Sequence, residues 1–555
     1  MRELHKNKTL VWTLFLAFAA VLLGVLKMRT LVPPDEGRYA EMAREMFASG
    51  DWITTRLNGI KYFEKPPLQT WMNALTFEIF GLGEWQARLW TGLCGLLGVG
   101  LTGYTGMRVF GSRVGFYAGL VLASSLYWVI CSQVNSVDMS LSSMMTIALC
   151  ALLIAQRDEA TPSEQRNWML LCWAGMALSV LAKGLIGLVL PGGILVFYTL
   201  FSRDWTIWTR LHLVKGLLLF FLIAAPWFVL VGLKNPEQPH FFFIHEHFDR
   251  FLKKEHHREA AWYVFFVLLA AGSVPWVGVL VQSLWLGAKR TLEPGRFKPR
   301  LMLLVWTAFI ILFFTKSNSK LPGYIVPVFP AVALLVANYL EDGSRRGRML
   351  TAGLTALLGA GLLGFVPFML KLARHPGEDV LYAAYQPWVL AAGLVLLIGG
   401  ALAMLYTRQM QRDLTVLVLA IAGFAGVQLL LVGFEPIGQV RAGAGLLPAM
   451  KAAGAANPAT RVYSVGIYEQ SLTFYLGRPV TLVDYTDEFA FGLEQQPELG
   501  IPTIPAFLER WRADAAAGVT SIAIVRPEFV AEFQRQGVPL RVVAGDARRT
   551  VIATR

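Results

Sequence analysis

The chain has 555 residues, of which 55% are hydrophobic and only 16% charged, against roughly 25% charged residues in ordinary soluble domains. That balance excludes a soluble globular enzyme and points to a polytopic membrane protein. In a soluble chain the net charge of +13 would raise the question of nucleic acid; here the basic residues sit in short loops between apolar runs, where they set topology.

Residues 1–8 are basic and the run 10–26 is apolar, a pattern that resembles a secretory leader. The run ends in Lys27-Met28-Arg29 with no small-residue cleavage site, so it predicts a retained first span. Further apolar runs lie near 89–107, 114–131, 139–155, 168–182, 184–201, 213–233, 262–286, 301–315, 324–340, 350–370, 388–407 and 414–434. Together they predict about thirteen spans, most of them long enough as helices for a hydrocarbon core about 30 Å thick. With the N-terminus cytoplasmic, the loops 108–113, 156–166, 203–210, 289–300, 341–348 and 408–412 fall inside, and each carries at least two Lys or Arg. The positive-inside rule is then met loop by loop, and an odd number of spans leaves the C-terminal segment outside. Cys94, Cys131, Cys150 and Cys172 fall in or beside apolar runs without metal-ligand spacing and read as core residues.

The outward segments are 29–88, a short loop before Asp138, the junction at Lys183, 234–261, 316–323, 371–387 and everything beyond 435. After Asp35, the residues Tyr39, Ala43, Met46 and Phe47 recur at helical spacing, which predicts a helix lying in the membrane interface. Interfacial helices are expected in 29–88 and 234–261, within a transmembrane domain spanning 1–434. From 435 to 555 the pattern changes to strands at 461–465, 480–483, 521–525 and 540–543, separated by helices at 469–475, 505–517 and 527–536. This predicts a small outer α/β domain, without a phosphate-binding glycine fingerprint.

Ionisable residues at membrane depth are costly and often functional. Asp35 and Glu36 open the first outer segment, Asp138 opens a span, Lys183 separates two apolar runs, and 240–258 carries His240, His245, Glu246, His247, Asp249, Arg250, Lys253 and Lys254. Local readings exist for each: Asp35 and Asp138 suit helix N-caps, Lys183 suits a snorkelling helix end, and His245 to His247 suit a solvated loop. Lys316 and Lys320 lie on the outer side, against the inside-positive bias, and so point to an anion site. Carboxylates and cations gathered on one face beside lipid suit a lipid-linked phosphate ester. A lipid-linked sugar flippase or transporter is the non-enzyme alternative, but such proteins hold their ionisable residues near the bilayer midplane.

The motifs Pro34-Asp35-Glu36-Gly37-Arg38-Tyr39, Phe63-Glu64-Lys65-Pro66-Pro67, Ala182-Lys183-Gly184, His247-Phe248-Asp249-Arg250-Phe251 and Lys316-Ser317-Asn318-Ser319-Lys320-Leu321-Pro322-Gly323-Tyr324 resemble those of the bacterial lipid A aminoarabinose transferases. More broadly the chain resembles polyprenyl-phosphate-dependent membrane glycosyltransferases of the GT-C fold, among them the protein O-mannosyltransferases, which are the alternative enzyme reading. The resemblance implies transfer of 4-amino-4-deoxy-L-arabinose from undecaprenyl phosphate to a phosphate of lipid A at the periplasmic face of the inner membrane. Protection against polymyxin and other cationic peptides would follow. It further implies an undecaprenyl phosphate-linked donor and a lipid A acceptor as partners, with no nucleic acid and a monomeric chain.

On that reading a single attack at the anomeric carbon inverts its configuration. Asp35, Asp138 and Glu36 are the candidate catalytic carboxylates, and Asp35 acts as a base or an orienting group according to the acceptor. Arg38, Lys65, Lys183, Arg250, Lys316, Lys320 and Tyr324 are assigned to the donor phosphate; Glu64, Tyr39 and His245 are assigned to the sugar or acceptor. This chemistry names no cofactor and leaves metal dependence open. A divalent ion, zinc or magnesium, is chemically compatible with Glu64, His245 and His247, whose spacing matches no specific motif.

Overall fold

Without water to satisfy backbone amides, apolar runs in a bilayer take helical form. Each run predicted as a span lies on helix in the computed structural model, which describes residues 3–244, 260–292, 295–375 and 377–554. In chain order the first part contains α1 (Lys8–Gly24), α2 (Asp35–Ser49), the hairpin β1 (Arg56–Leu57) and β2 (Ile60–Lys61), α3 (Leu68–Phe80), α4 (Glu84–Phe110), α5 (Ser112–Ser124) and α6 (Leu126–Cys131). It continues with α7 (Val137–Ala155), α8 (Pro162–Lys183), α9 (Ile186–Ser202), α10 (Leu213–Lys234), α11 (Gln238–His240), α12 (Val264–Gly272), α13 (Val277–Lys289), α14 (Pro299–Lys316), α15 (Phe329–Asp342), α16 (Arg345–Phe365), α17 (Glu378–Arg408) and α18 (Arg412–Gly433).

Among the described residues nine helices are long and apolar enough to cross a membrane, or ten if α12 and α13, bent by 108°, form one span. The remaining predicted runs differ for local reasons. The run 114–131 breaks at Ser125 into α5 and α6, and α9 has 17 residues. α8 begins with a polar turn capped by a reciprocal Thr161 and Glu164 box. It ends at Gly184, whose φ of +85° favours glycine, and so Lys183 is left at the helix terminus. All four cysteines are buried and free, as core residues should be.

Beyond α19 (Glu435–Ala442) and α20 (Leu447–Ala452), six strands form a mixed sheet in the order β5-β4-β3-β6-β8-β7: β3 (Arg461–Val465), β4 (Thr481–Val483), β5 (Gly500–Ile501), β6 (Ser521–Val525), β7 (Arg541–Gly545) and β8 (Thr550–Ala553). The helices are α21 (Gln470–Leu476), α22 (Ala490–Gln495), α23 (Ile504–Ala516) and α24 (Pro527–Arg535). Four strands match the sequence expectation; the two-residue β5 and the C-terminal β8 are additional.

α2 differs from the expected interfacial helix. Glu36, Gly37 and every residue from Tyr39 to Met46 are buried. Ala40, Ala43 and Met46 pack with Phe77 of α3 and Phe474 of α21, whereas Tyr39 and Met42 join a core with Leu57, Ile60, Val462 and Leu472. Of the predicted apolar stripe only Phe47 stays exposed. Protein therefore covers the faces a bilayer surface was expected to cover. The approach is closest at Gly37, where an added Cβ would overlap the backbone nitrogen of Ser471 on α21.

Candidate functional site

Asp35 is the first residue of α2, and Pro34 rather than Asp35 occupies the N-cap. The Asp35 carboxylate therefore projects from the first turn, where the helix dipole favours negative charge. Its Oδ1 accepts from Arg38 Nη1 at 2.8 Å, Oδ2 makes no hydrogen bond with described residues, and the side chain is 48% exposed. Arg38 also donates through Nε to Glu488 Oε2 at 2.6 Å, and Gln470 Nε2 donates to Glu488 Oε1 at 2.6 Å. Burial works to lower the Arg38 pKa, but Tyr62, Glu488, Tyr39 and Asp35 outweigh it and hold the guanidinium above its ordinary range. Arg38, expected on a phosphate, is thus already held between two carboxylates, one of them from the C-terminal domain.

Glu36, expected beside Asp35 at the reaction centre, turns the other way and is buried. Its Oε1 accepts from Arg88 Nε at 2.6 Å and the Asn135 backbone N–H at 3.1 Å; its Oε2 accepts from Arg88 Nη2 at 2.8 Å and the Val32 N–H at 2.9 Å. Burial would raise its pKa, and Arg88 more than offsets this, so the carboxyl stays below the usual range. Arg88 spends its remaining donors on the carbonyls of Leu26, Arg29 and Thr30. With both oxygens occupied, Glu36 fixes the start of α2, and of the two carboxylates only Asp35 keeps an oxygen without a hydrogen bond from the described residues.

Asp138 lies in the first turn of α7, behind the N-cap Ser136. It is paired with Lys183, whose Nζ also stands 4.6 Å from the Tyr324 ring centroid. Lys183 therefore caps a carboxylate rather than snorkelling to water. The segment from Lys316 reaches this pair through Gly323, where an added Cβ would overlap Asp138 Oδ2. Tyr324 packs on Phe314 at 4.8 Å. Lys65 Nζ donates to the Glu64 carbonyl at 2.8 Å and lies 3.8 Å from its carboxylate. Lys316 and Lys320 make no hydrogen bond or ion pair with described residues.

Tyr39 ties these groups together. Burial first, then the charges of Asp35, Asp138 and Glu64, push its hydroxyl well above the ordinary range. All three carboxylates thus share one electrostatic neighbourhood around a buried phenol. Tyr62 behaves likewise, raised by burial and then by Glu64, with Glu488 adding to it. Arg250, His245 and His247 lie outside the described residues. Among those described, no group of three or more His, Cys, Asp or Glu side chains is placed to hold a metal ion.

Sequence reasoning missed Arg88, Asn135 and Glu488. Arg88 stands at the edge of an apolar run, Asn135 carries no motif, and Glu488 sits in a domain whose docking onto α2 leaves no signature in either segment alone.

The comparisons with known proteins agree on kinship. Residues 446–554 match the family described as aminoarabinose transferase C-terminal domain, and residues 64–230 match dolichyl-phosphate-mannose-protein mannosyltransferase. The undecaprenyl phosphate-alpha-4-amino-4-deoxy-L-arabinose arabinosyl transferase of Erwinia tasmaniensis is 30% identical over 433 residues, covering 72% of this chain and 73% of the relative. The crystal structure of ArnT from Cupriavidus metallidurans bound to undecaprenyl phosphate superposes with a TM-score of 0.91 at 39% identity, covering 99% of this chain and 98% of that one. Its apo structure gives a TM-score of 0.90 at 39% identity, covering 98% of this chain and 97% of that one.

Proposed function

The chain belongs to the undecaprenyl phosphate-alpha-4-amino-4-deoxy-L-arabinose arabinosyl transferase family, and we propose that it moves 4-amino-4-deoxy-L-arabinose from undecaprenyl phosphate to a phosphate of lipid A. The observation that carries the reading is the constellation of Asp35 and Asp138 around Tyr39, with Lys183 and the segment 316–324 against Asp138. On this reading the active site and the C-terminal domain face the periplasm, the N-terminus is cytoplasmic, and the membrane is the bacterial inner membrane.

In the reaction an oxygen of the acceptor phosphate forms a bond to the anomeric carbon as the bond from that carbon to the donor phosphate oxygen breaks. The electron pair leaves on undecaprenyl phosphate. Charge accumulates on that leaving group, so cations rather than a general acid are the main requirement. Lys183, Lys316, Lys320 and Lys65 are the groups assigned to hold it, with Arg250 from outside the described residues. Charge-assisted hydrogen bonds contribute roughly 1.5–3 kcal/mol each, and their gain is in rate only insofar as they strengthen as the bond breaks.

Asp35 is assigned to the reacting centre because its carboxylate is the most exposed of the group, at 48% against 17% for Asp138 and 22% for Glu64. An acceptor phosphate is already anionic at neutral pH, so Asp35 orients the sugar or stabilises positive charge on its ring. Glu64 and Tyr39 are assigned to the sugar, and the carboxylates of Asp35, Asp138 and Glu64 near Tyr39 are the groups that could face a sugar ammonium.

Mass spectrometry of lipid A tests this. Cells lacking their own transferase and expressing this chain should gain one pentosamine on lipid A, and Asp35→Asn at equal membrane level should give none. Unmodified lipid A despite donor supply and folded protein would overturn the acceptor. Full modification by Asp35→Asn would overturn the role of Asp35.

A further inference from the structure

Beneath the carboxylates lies a second polar layer. Asn135, in the loop between α6 and α7, is fully buried, as are Gln69, Asn73 and Ser140. Its backbone N–H donates to Glu36 Oε1 at 3.1 Å and its Nδ2 to the Glu36 carbonyl at 3.2 Å. Its Oδ1 accepts from Gln69 Nε2 at 2.7 Å and Asn73 Nδ2 at 2.8 Å, two residues one turn apart on α3. Ser140 donates to Gln69 Oε1, and Trp90 Nε1 of α4 donates to Ser140 Oγ at 2.7 Å. All three polar groups named for Asn135 are occupied, as a buried network requires.

The three segments that meet here carry the chemistry. Glu36 immediately follows Asp35. Asn135 precedes Asp138 by three residues. Gln69 follows Lys65 by four, at the start of α3. A buried amide cannot slide without leaving donors or acceptors unpaired, which makes such a contact stiff. We infer that Asn135 is a positioning residue for the transfer reaction, an amide hub that sets Asp35, Asp138 and the Glu64-Lys65 turn at fixed mutual distances.

The inference rests on the proposed transferase reading, and two chemical features separate it from general stability. Displacement of a reacting group by about 1 Å can cost about 100-fold in rate, whereas substrate binding spread over many contacts is less sensitive. Asn135→Asp keeps the oxygen that accepts from Gln69 and Asn73. It replaces the amide donor with a carboxylate beside Glu36, and protonation restores an O–H donor to the Glu36 carbonyl.

The test uses the full-length chain in lipid nanodiscs, with transfer of pentosamine followed under saturating acceptor. Asn135→Ala should lower kcat about 100-fold while the donor KM and the binding of undecaprenyl phosphate stay within about twofold. Asn135→Asp should regain turnover as pH falls, relative to the parent chain. Tyr117→Phe, which removes a buried hydroxyl donated to Asp413 at 2.6 Å elsewhere in the bundle, serves as the destabilised control and should keep turnover within about threefold. Loss of activity in Asn135→Ala only in proportion to unfolded protein, or a raised KM with kcat preserved, would overturn the inference. Should the parent chain transfer no pentosamine, the transferase reading fails by itself. Spin labels at the exposed Phe47 of α2 and Leu75 of α3 then decide the hub: a distance distribution that broadens in Asn135→Ala and not in Tyr117→Phe supports it, and an unchanged one refutes it.

Discussion

The joint between α2 and the β1–β2 hairpin should weaken as pH rises, and Glu45→Gln should remove the dependence. Glu41 accepts from Arg44 Nε and Nη2, both at 2.7 Å, and Glu45 accepts the Gly59 N–H at 2.9 and 3.0 Å. Tyr468 of the C-terminal domain faces the same pair. Burial first, and then the neighbouring Glu41, push Glu45 from 4.5 up to about 8, against the opposing pull of Gly59 and Arg44. The folded chain therefore keeps a proton on Glu45 that the unfolded chain has already lost. Stability from this group is fully present below about pH 4.5 and is lost as pH climbs through about 8. At pH 7 the group lies about 2.5 pH units above its unfolded value, which corresponds to a loss of about 3 kcal/mol relative to pH 4. A Gln at this position retains one oxygen for the Gly59 N–H and offers an amide donor to Glu41. Thermal unfolding of the protein in nanodiscs should give equal midpoints for parent and Glu45→Gln at pH 5 and a higher midpoint for Glu45→Gln at pH 8. Parallel pH curves for the two proteins would refute the reasoning.

Gly37→Val should lower both the midpoint and transfer activity, because its side chain meets the Ser471 backbone; Ser471→Gly should fail to rescue it in a paired thermal and activity assay. Asn58 donates to the Val480 carbonyl and accepts its N–H, both at 2.7 Å, so Asn58→Ala should destabilise by about 1–3 kcal/mol through two unpaired buried groups, read by denaturant titration. Gly323→Ala should displace the Asp138 carboxylate that it would overlap, lowering kcat by roughly tenfold or more, as misplacement of a reacting group does, with little change in the midpoint. Glu488→Gln should leave Arg38 with one carboxylate partner in place of two; donor KM and kcat should both change, and a Tyr117→Phe control should not reproduce the change.

Composition and periodicity carry the span-forming helices and the C-terminal α/β domain because burial in lipid or in a core imposes a period on each segment separately. They carry Asp35, Asp138 and Lys183 because ionisable groups at span ends stand out against apolar surroundings. They do not carry the division of labour between Asp35 and Glu36. Successive residues on a helix point about 100° apart, so the two carboxylates meet different surroundings, and it is Arg88, 52 residues further along the chain, that holds Glu36 inward. Gly37 is the same kind of case: its reason is Ser471, in the C-terminal domain. The covering of α2 by protein was equally out of reach, since an amphipathic helix buries its apolar stripe in a membrane surface or against a domain with the same pattern.

The C-terminal domain cannot be treated as an appendage to a membrane enzyme. Its core continues into Tyr39, Met42, Leu57, Ile60 and Tyr62 of the segment between α1 and α3, so removing it would expose apolar surface beside Asp35. Electrostatics points the same way. Arg38 is paired with Asp35 and Glu488, Lys183 with Asp138, and Lys65 sits beside Glu64. Buried or half-buried cations without such partners would carry a large desolvation cost before any lipid phosphate arrived. Pairing lowers that cost, but a phosphate must then compete with the carboxylates for each cation. Lys316 and Lys320 meet no such competition from the described residues. On the proposed reading the segment 316–324 offers a donor phosphate two cations that no described carboxylate holds, and its far end at Gly323 and Tyr324 lies against Asp138 and Lys183.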